Sequence, residues 1–198
     1  MMPWTHAISA YIAYSISSHS ITRSPPTTRE TIILVFASLL PDMIDKTLAW
    51  QLNILAGGQT LGHSIFTALL LSVAVIAVAH SRGQLRAGLA FVTGYLLHLP
   101  GDIIPGTLLS GDAELSIILW PITEGGGGQG ESFYSEFLEN VVPYVQEIGT
   151  QIITGEPSLA LLTLLTYWAF AFFLWVYDGM PIGKEAYRRI RQTIAHAQ

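Results

Sequence analysis

The run LALLTLLTYWAFAFFLWVY, Leu159 to Tyr177, carries no charged side chain and approaches the ~20 residues with which a helix crosses a bilayer. Comparable apolar runs stand at residues 65–79 and 85–99, with a shorter one at 31–40 and a weakly apolar one at 7–18. Of the 198 residues, 51% are hydrophobic and only 12% charged, where an ordinary soluble domain carries about 25% charge. The mean hydropathy is +0.46. These features predict an all-α fold, a multi-pass membrane bundle of about five helices forming a single domain over residues 1–198. Residues 105–157 break the pattern. They are polar, include the run Gly125 to Gly128, and read as an extracytoplasmic loop before the last helix, with a short amphipathic helix at 133–148.

Charge gives the helices a direction. Arg23 and Arg29 follow the first apolar run, Arg82 and Arg86 separate the third from the fourth, and Lys184, Arg188, Arg189 and Arg191 follow the last. If the chain crosses in alternating directions, every one of its nine Lys and Arg residues except Lys46 falls on one side. Short loops rich in Lys and Arg stay cytoplasmic. The excursion holds Asp112, Glu114, Glu124, Glu131, Glu136, Glu139, Glu147 and Glu156 and no basic residue. The expected location is therefore the cell membrane, with the N-terminus outside and the C-terminus cytoplasmic. The first residues lack the positive segment of a cleavable signal. A net charge of -5 without a basic stripe excludes a nucleic-acid partner. The absence of cysteine leaves nitrogen and oxygen as the only metal donors.

On that topology, His6, Asp42, Asp45, His63, His98 and Asp102 all reach the extracytoplasmic face, while His19, His80 and His196 fall at the basic end. Singly, each has an ordinary reading as a helix cap or loop hydrogen-bonding group. Together they make costly ionisable groups beside a membrane core, which are usually paired or functional. Asp42 and Asp45 share a face if the helix continues past Pro41. His98 and Asp102 are four apart, with Pro100 and Gly101 expected to break the helix between them. Imidazole and carboxylate suit zinc, and carboxylate-rich sets also take manganese. Such a metal makes water a nucleophile at neutral pH, with Asp42 or Asp45 the candidate general base.

The order of these residues resembles the membrane-bound metal-dependent hydrolase family, whose usual namesake is a LexA-regulated bacterial inner-membrane protein. The matching elements are Thr5-His6, Leu40-Pro41-Asp42-Met43-Ile44-Asp45, His63-Ser64, Gly94-Tyr95 with His98 and Asp102, and Trp120-Pro121. The resemblance covers residues 1 to about 121. It implies distant kinship with zinc phospholipases C and P1-type nucleases, and hence phosphoester hydrolysis. Two departures stand out. Lys46 replaces a frequent His after the second Asp. The approach to the third helix reads Gly58 to Ser64, without the family's Arg and with Gly62 in place of Thr. Lys46 is a candidate substrate residue, a point charge for phosphate in place of that Arg.

The leading functional reading is a membrane-bound metallohydrolase acting on a phosphoester of a lipid or lipid-linked substrate, with membrane lipid as its partner. The alternative is a non-catalytic membrane protein with a structural metal site or an ion or proton pathway. A transporter places such groups near the midplane rather than at helix ends. A soluble helical bundle is a third reading, opposed by the uncharged run at Leu159–Tyr177.

Overall fold

The computed structural model describes residues 2–111, 115–128 and 132–196. Seven α-helices make up these residues: α1 (Pro3–Thr22), α2 (Thr28–Lys46), α3 (Ile65–Ser81), α4 (Leu85–Ser110), α5 (Phe133–Thr154), α6 (Leu159–Tyr177) and α7 (Gly183–His196). A π-helical turn, Thr47–Gln51, extends α2, and a 3-10 turn lies at Leu115–Ile118. Among the described residues there is no β-strand, only an isolated bridge between Gln59 and Gly126. The all-helical expectation holds, but the count of about five helices does not. α5 has 22 residues: the short amphipathic helix expected at 133–148 is present and runs on to Thr154. α7 is likewise amphipathic. Two helices, Leu85–Ile104 within α4 and Leu159–Tyr177, are long and apolar enough to cross a membrane. The acidic Asp112, Glu114 and Glu131 of the excursion lie outside the described residues.

Local sequence explains the ends of the helices. Thr27 and Glu30 form a capping box at the start of α2: the Glu30 amide donates to Thr27 Oγ1 (3.3 Å) and the Thr27 amide to Glu30 Oε2 (3.0 Å). Gly111, with φ of 82°, ends α4 in the left-handed region where glycine carries no Cβ penalty. Neither Pro41 in α2 nor Pro100 in α4 stops its helix. The break expected at Pro100-Gly101 does not occur. A proline removes one N–H and crowds one carbonyl, and apolar helices tolerate it when neighbouring groups satisfy the freed backbone.

The chain divides into two compact units, residues 1–40, 68–114 and 171–198 in the first, and 41–67 and 115–170 in the second. In the first unit, Ala10, Tyr11, Tyr14, Leu34 and Ala90 form a buried cluster flanked by Ile33, Leu174 and Trp175. α1 runs antiparallel to α4, since Tyr14 Oη donates to the Arg86 carbonyl (3.0 Å) while His6 stacks on His98. α2 runs parallel to α4, with Glu30 beside Arg86 and Ser38 beside His98. These directions gather Arg86, Glu30, Ser18 and Ser24 at one end and His6, His98 and Asp102 at the other. Gly94 lets α2 and α4 touch. A Cβ there would collide with the Leu34 carbonyl and lie 3.1 Å from both Ala37 Cβ and the Ser38 amide nitrogen.

In the second unit, the segment after α2 is pinned to the glycine run. The Gln59 and Gly126 amides exchange bonds of 3.0 and 2.9 Å, the Gly58 amide donates to the Gly127 carbonyl, and Trp50 Nε1 donates to the Gly128 carbonyl (3.2 Å). The glycines are therefore structured rather than a loose tether. Gly94→Ala is expected to destabilise the protein by about 1–3 kcal/mol, as overpacked contacts do. Gly149→Ala, in an open stretch of α5, is expected to be neutral or to stabilise by up to ~1 kcal/mol. Paired thermal melts in detergent check the contrast.

Candidate metal centre

Each unit contributes a buried set of Asp and His residues. In the second unit, Asp45 is fully buried and lies at the end of α2, facing the chain that leads into α3. Its Oδ1 accepts from the Gly62 amide (2.6 Å), and its Oδ2 from the amides of Thr60 (2.6 Å) and His63 (3.1 Å). The His63 Nδ1–H makes a further bond to Oδ2 (2.8 Å). Burial works against a charged carboxylate, and the His63 ring and the Gly62, Thr60 and His63 amides are the donors that offset it. Asp45 therefore stays ionised and fixes the ring of His63. With Nδ1 committed as donor, neutral His63 carries its lone pair on Nε2, which lies 3.7 Å from Asp42 Oδ1. Asp42 Oδ2 in turn meets Lys46 Nζ at 2.9 Å, and Lys46 sits 5.5 Å over the Trp50 ring.

The departure at Gly62 has a steric reason. A Cβ on residue 62 would come within 2.5 Å of the Pro41 carbonyl oxygen. The absent side chain lets the strap lie flat on the end of α2, where its amide reaches Asp45. Ser64 Oγ, next along, donates to the Trp120 carbonyl (2.6 Å), so the His-Ser and Trp-Pro elements meet in one unit.

In the first unit, His98 is fully buried and its Nδ1 lies 2.7 Å from the Ser38 carbonyl oxygen. A carbonyl can only accept, so Nδ1 carries a proton, and in the neutral ring Nε2 then presents the lone pair. The unbroken α4 places Asp102 one turn on, with Oδ2 3.3 Å from His98 Nε2. His6, 2% exposed, stacks on the His98 ring with centroids 3.9 Å apart, and its Nε2 lies 3.2 Å from Asp102 Oδ1. That approach is not aligned for a hydrogen bond. Both His6 ring nitrogens are buried without a hydrogen-bond partner among the described residues, a costly state for a polar group.

The donors suited to a divalent cation are thus Asp42 and His63 in the second unit and His98 and Asp102 in the first. All are nitrogen or oxygen, fitting zinc or manganese. In both histidines Nδ1 is tied to a backbone or carboxylate acceptor, the outer-shell arrangement that orients metal-binding imidazoles. His19 pairs with Asp178, and His80 lies in the last turn of α3. The side chain of His196 lies outside the described residues.

Sequence reasoning missed the Ser38 carbonyl, because backbone acceptors leave no trace in residue identity. It also missed Asp178, whose carboxylate accepts from Tyr11 Oη and Ser15 Oγ (2.6 Å each) and contacts His19 Nε2 at 2.6 Å. The signal was present: Tyr11, Ser15 and His19 recur every four residues, as one polar stripe on α1.

Removing the Asp45 carboxylate strands three buried amides and an imidazole N–H. Asp45→Ala is expected to cost about 3 kcal/mol or more, and Asp45→Asn less, since its amide oxygen still accepts. Denaturation in detergent ranks the two.

The family model described as YdjM inner membrane protein matches residues 1–180. No curated protein and no solved structure matches the chain. The chain belongs to the YdjM inner membrane protein family, and that membership together with two apolar helices of spanning length indicates a membrane location.

Proposed function

We propose that this member of the YdjM inner membrane protein family is a metal-dependent hydrolase that cleaves a phosphoester of a lipid or lipid-linked substrate at the extracytoplasmic face. The observation that carries the reading is the shared tethering of His63 and His98. Each spends its Nδ1–H on a fixed acceptor and presents Nε2 toward a carboxylate.

In this reading Asp42, His63, His98 and Asp102 hold one divalent cation, zinc in first place and manganese in second. Such a cation lowers the pKa of water to about 7. Asp45 acts through His63 as a positioning residue. His6 packs its ring on His98 and fills out the site beside Asp102. A carboxylate oxygen of Asp42 not spent on the cation serves as general base. Lys46, now held by Asp42, supplies positive charge to the anionic substrate as Asp42 is neutralised by the cation.

The topology follows the charges: five crossings, N-terminus outside, C-terminus cytoplasmic, with α5 in the outer excursion and α7 on the cytoplasmic surface. The opposite directions of α1 and α2 and the parallel run of α2 and α4 in the first unit support it, as does the gathering of Arg86 and its partners at the end away from His98.

Elemental analysis of detergent-purified protein is expected to find about one zinc or manganese per chain. The double variant His63→Ala/His98→Ala is expected to lose the metal and, with it, at least ~100-fold of turnover on a phosphodiester probe such as bis-p-nitrophenyl phosphate. Folded wild-type protein that takes up no metal after incubation with zinc or manganese would sink the reading. Because the chain has no cysteine, single-cysteine labelling tests the topology cleanly. A membrane-impermeant maleimide is expected to modify Gly128→Cys in intact cells, and Ser81→Cys only after the membrane is opened.

A further inference from the structure

The first unit contains an apolar groove with no part in the metal centre. It lies between α2, α3 and α4 and encloses about 580 Å³, within the ~300–1,000 Å³ typical of small-molecule sites. Ile32, Phe36, Val75, Val78 and Phe91 line its walls. Ile32 (52%), Phe36 (50%) and Val78 (50%) remain about half exposed, so the walls are not closed by the fold itself. Gly88 sets the floor. A Cβ there would lie 2.6 Å from Ala79 Cβ, so the backbone of α4 rests against the Ala79 methyl of α3 beneath the cleft.

One end of the groove is charged. Arg29, Arg82 and Gln84 form its mouth, and all three are exposed. Among the described residues neither guanidinium is paired with a carboxylate. Arg29 instead donates to Gln84 Oε1 at 2.7 Å. A carboxamide orients the guanidinium fork without cancelling its charge, leaving donors for a phosphate. Arg86, in the same unit, shows the opposite treatment: its guanidinium bonds Glu30 at 2.9 Å, so that charge is already neutralised. Arg29 also borders a second cavity of about 600 Å³, shared with Ile182, Glu185 and Ala186 near α7. Glu185 there is engaged by Arg188 at 4.0 Å. α7 itself is a basic amphipathic helix with Tyr187 and Ile190 exposed, a composition suited to lying in the headgroup layer.

We propose that the α2–α3–α4 groove binds one acyl chain of an anionic phospholipid, with its phosphate held at the mouth by Arg29 and Arg82. The groove supplies the apolar contact and the unpaired guanidinia supply headgroup choice. This site stands apart from the metal centre: in α4, Gln84 precedes His98 by about four helical turns, on the order of 20 Å.

Native mass spectrometry of the full chain in detergent, titrated with phosphatidylglycerol or phosphatidylcholine, tests the proposal. Wild type is expected to retain one phosphatidylglycerol per chain, at least about tenfold more tightly than phosphatidylcholine. Each arginine near an anionic headgroup contributes roughly a factor of five. Arg29→Gln/Arg82→Gln should therefore abolish the headgroup preference. Ala74→Phe, which fills the exposed wall of α3, should weaken both lipids together while keeping the preference. Inorganic phosphate should not displace the lipid. Equal retention of both lipids by wild type, unchanged phosphatidylglycerol binding in the arginine variant, or displacement by phosphate alone would each overturn the proposal. Helix content by circular dichroism verifies the fold of each variant. If Ala74→Phe does not fold, the surface arginine pair decides the matter. Failure here leaves the metal content of the chain untouched, so the two readings fall separately.

Discussion

An imidazole inside an apolar helical interior can offer a lone pair at a fixed point only if its other nitrogen has an acceptor. That constraint organises the first unit. His98 finds its acceptor in the Ser38 backbone carbonyl, whose second lone pair remains available after the helix has used the first. The bond is possible only because α2 and α4 approach to backbone distance, and they do so at Gly94, where any side chain would strike Leu34 and Ala37. A missing Cβ, a close helix pair and a protonated Nδ1 held at a fixed point form one causal sequence. The second unit meets the same constraint with different means. There a charged acceptor, Asp45, holds His63 and is itself satisfied by three amides of the strap leading into α3.

Residue identities announced much of this. The apolar runs marked five of the seven helices, and the basic clusters ordered their ends. The i, i+4 spacing of His98 and Asp102 placed both on one side of α4, a relation that survived the proline between them because the helix did. What stayed hidden depended on backbone atoms or on faces. The division of labour between Asp42 and Asp45 is set by amides of residues 60 to 63, which look alike in any sequence. α7 sets its few apolar residues on one face of a charged helix, so no run betrayed it. The glycine run suggested looseness, yet Gly126 and Gly127 are bonded to Gln59 and Gly58. Gly62 looked like a lost family residue, whereas the close Pro41 carbonyl shows why a side chain is excluded there.

The first unit is chemically asymmetric along its helices. Imidazoles and a carboxylate occupy one end, guanidinia with serines and Glu30 the other, and apolar side chains fill the length between. Two kinds of arginine share the basic end. Arg86 is consumed by the structure, bonded to Ser18, Ser24, Pro25 and Glu30. Arg29 and Arg82 remain outward, at the mouth of an apolar groove. Equal formal charges thus differ in availability, which net charge alone does not reveal.

Asp178 carries a consequence for the making of the protein. Its partners Tyr11 and Ser15 sit on the first helix, 167 and 163 residues earlier in the chain. A ribosome adding ~5–20 residues per second delivers α1 many seconds before the carboxylate that its hydroxyls serve. Throughout that interval the polar stripe of α1 has to lean on water, on lipid headgroups or on a helper. Completion of this polar cluster is therefore tied to late translation, and a chain cut short before residue 178 leaves the Tyr11 and Ser15 hydroxyls without their carboxylate.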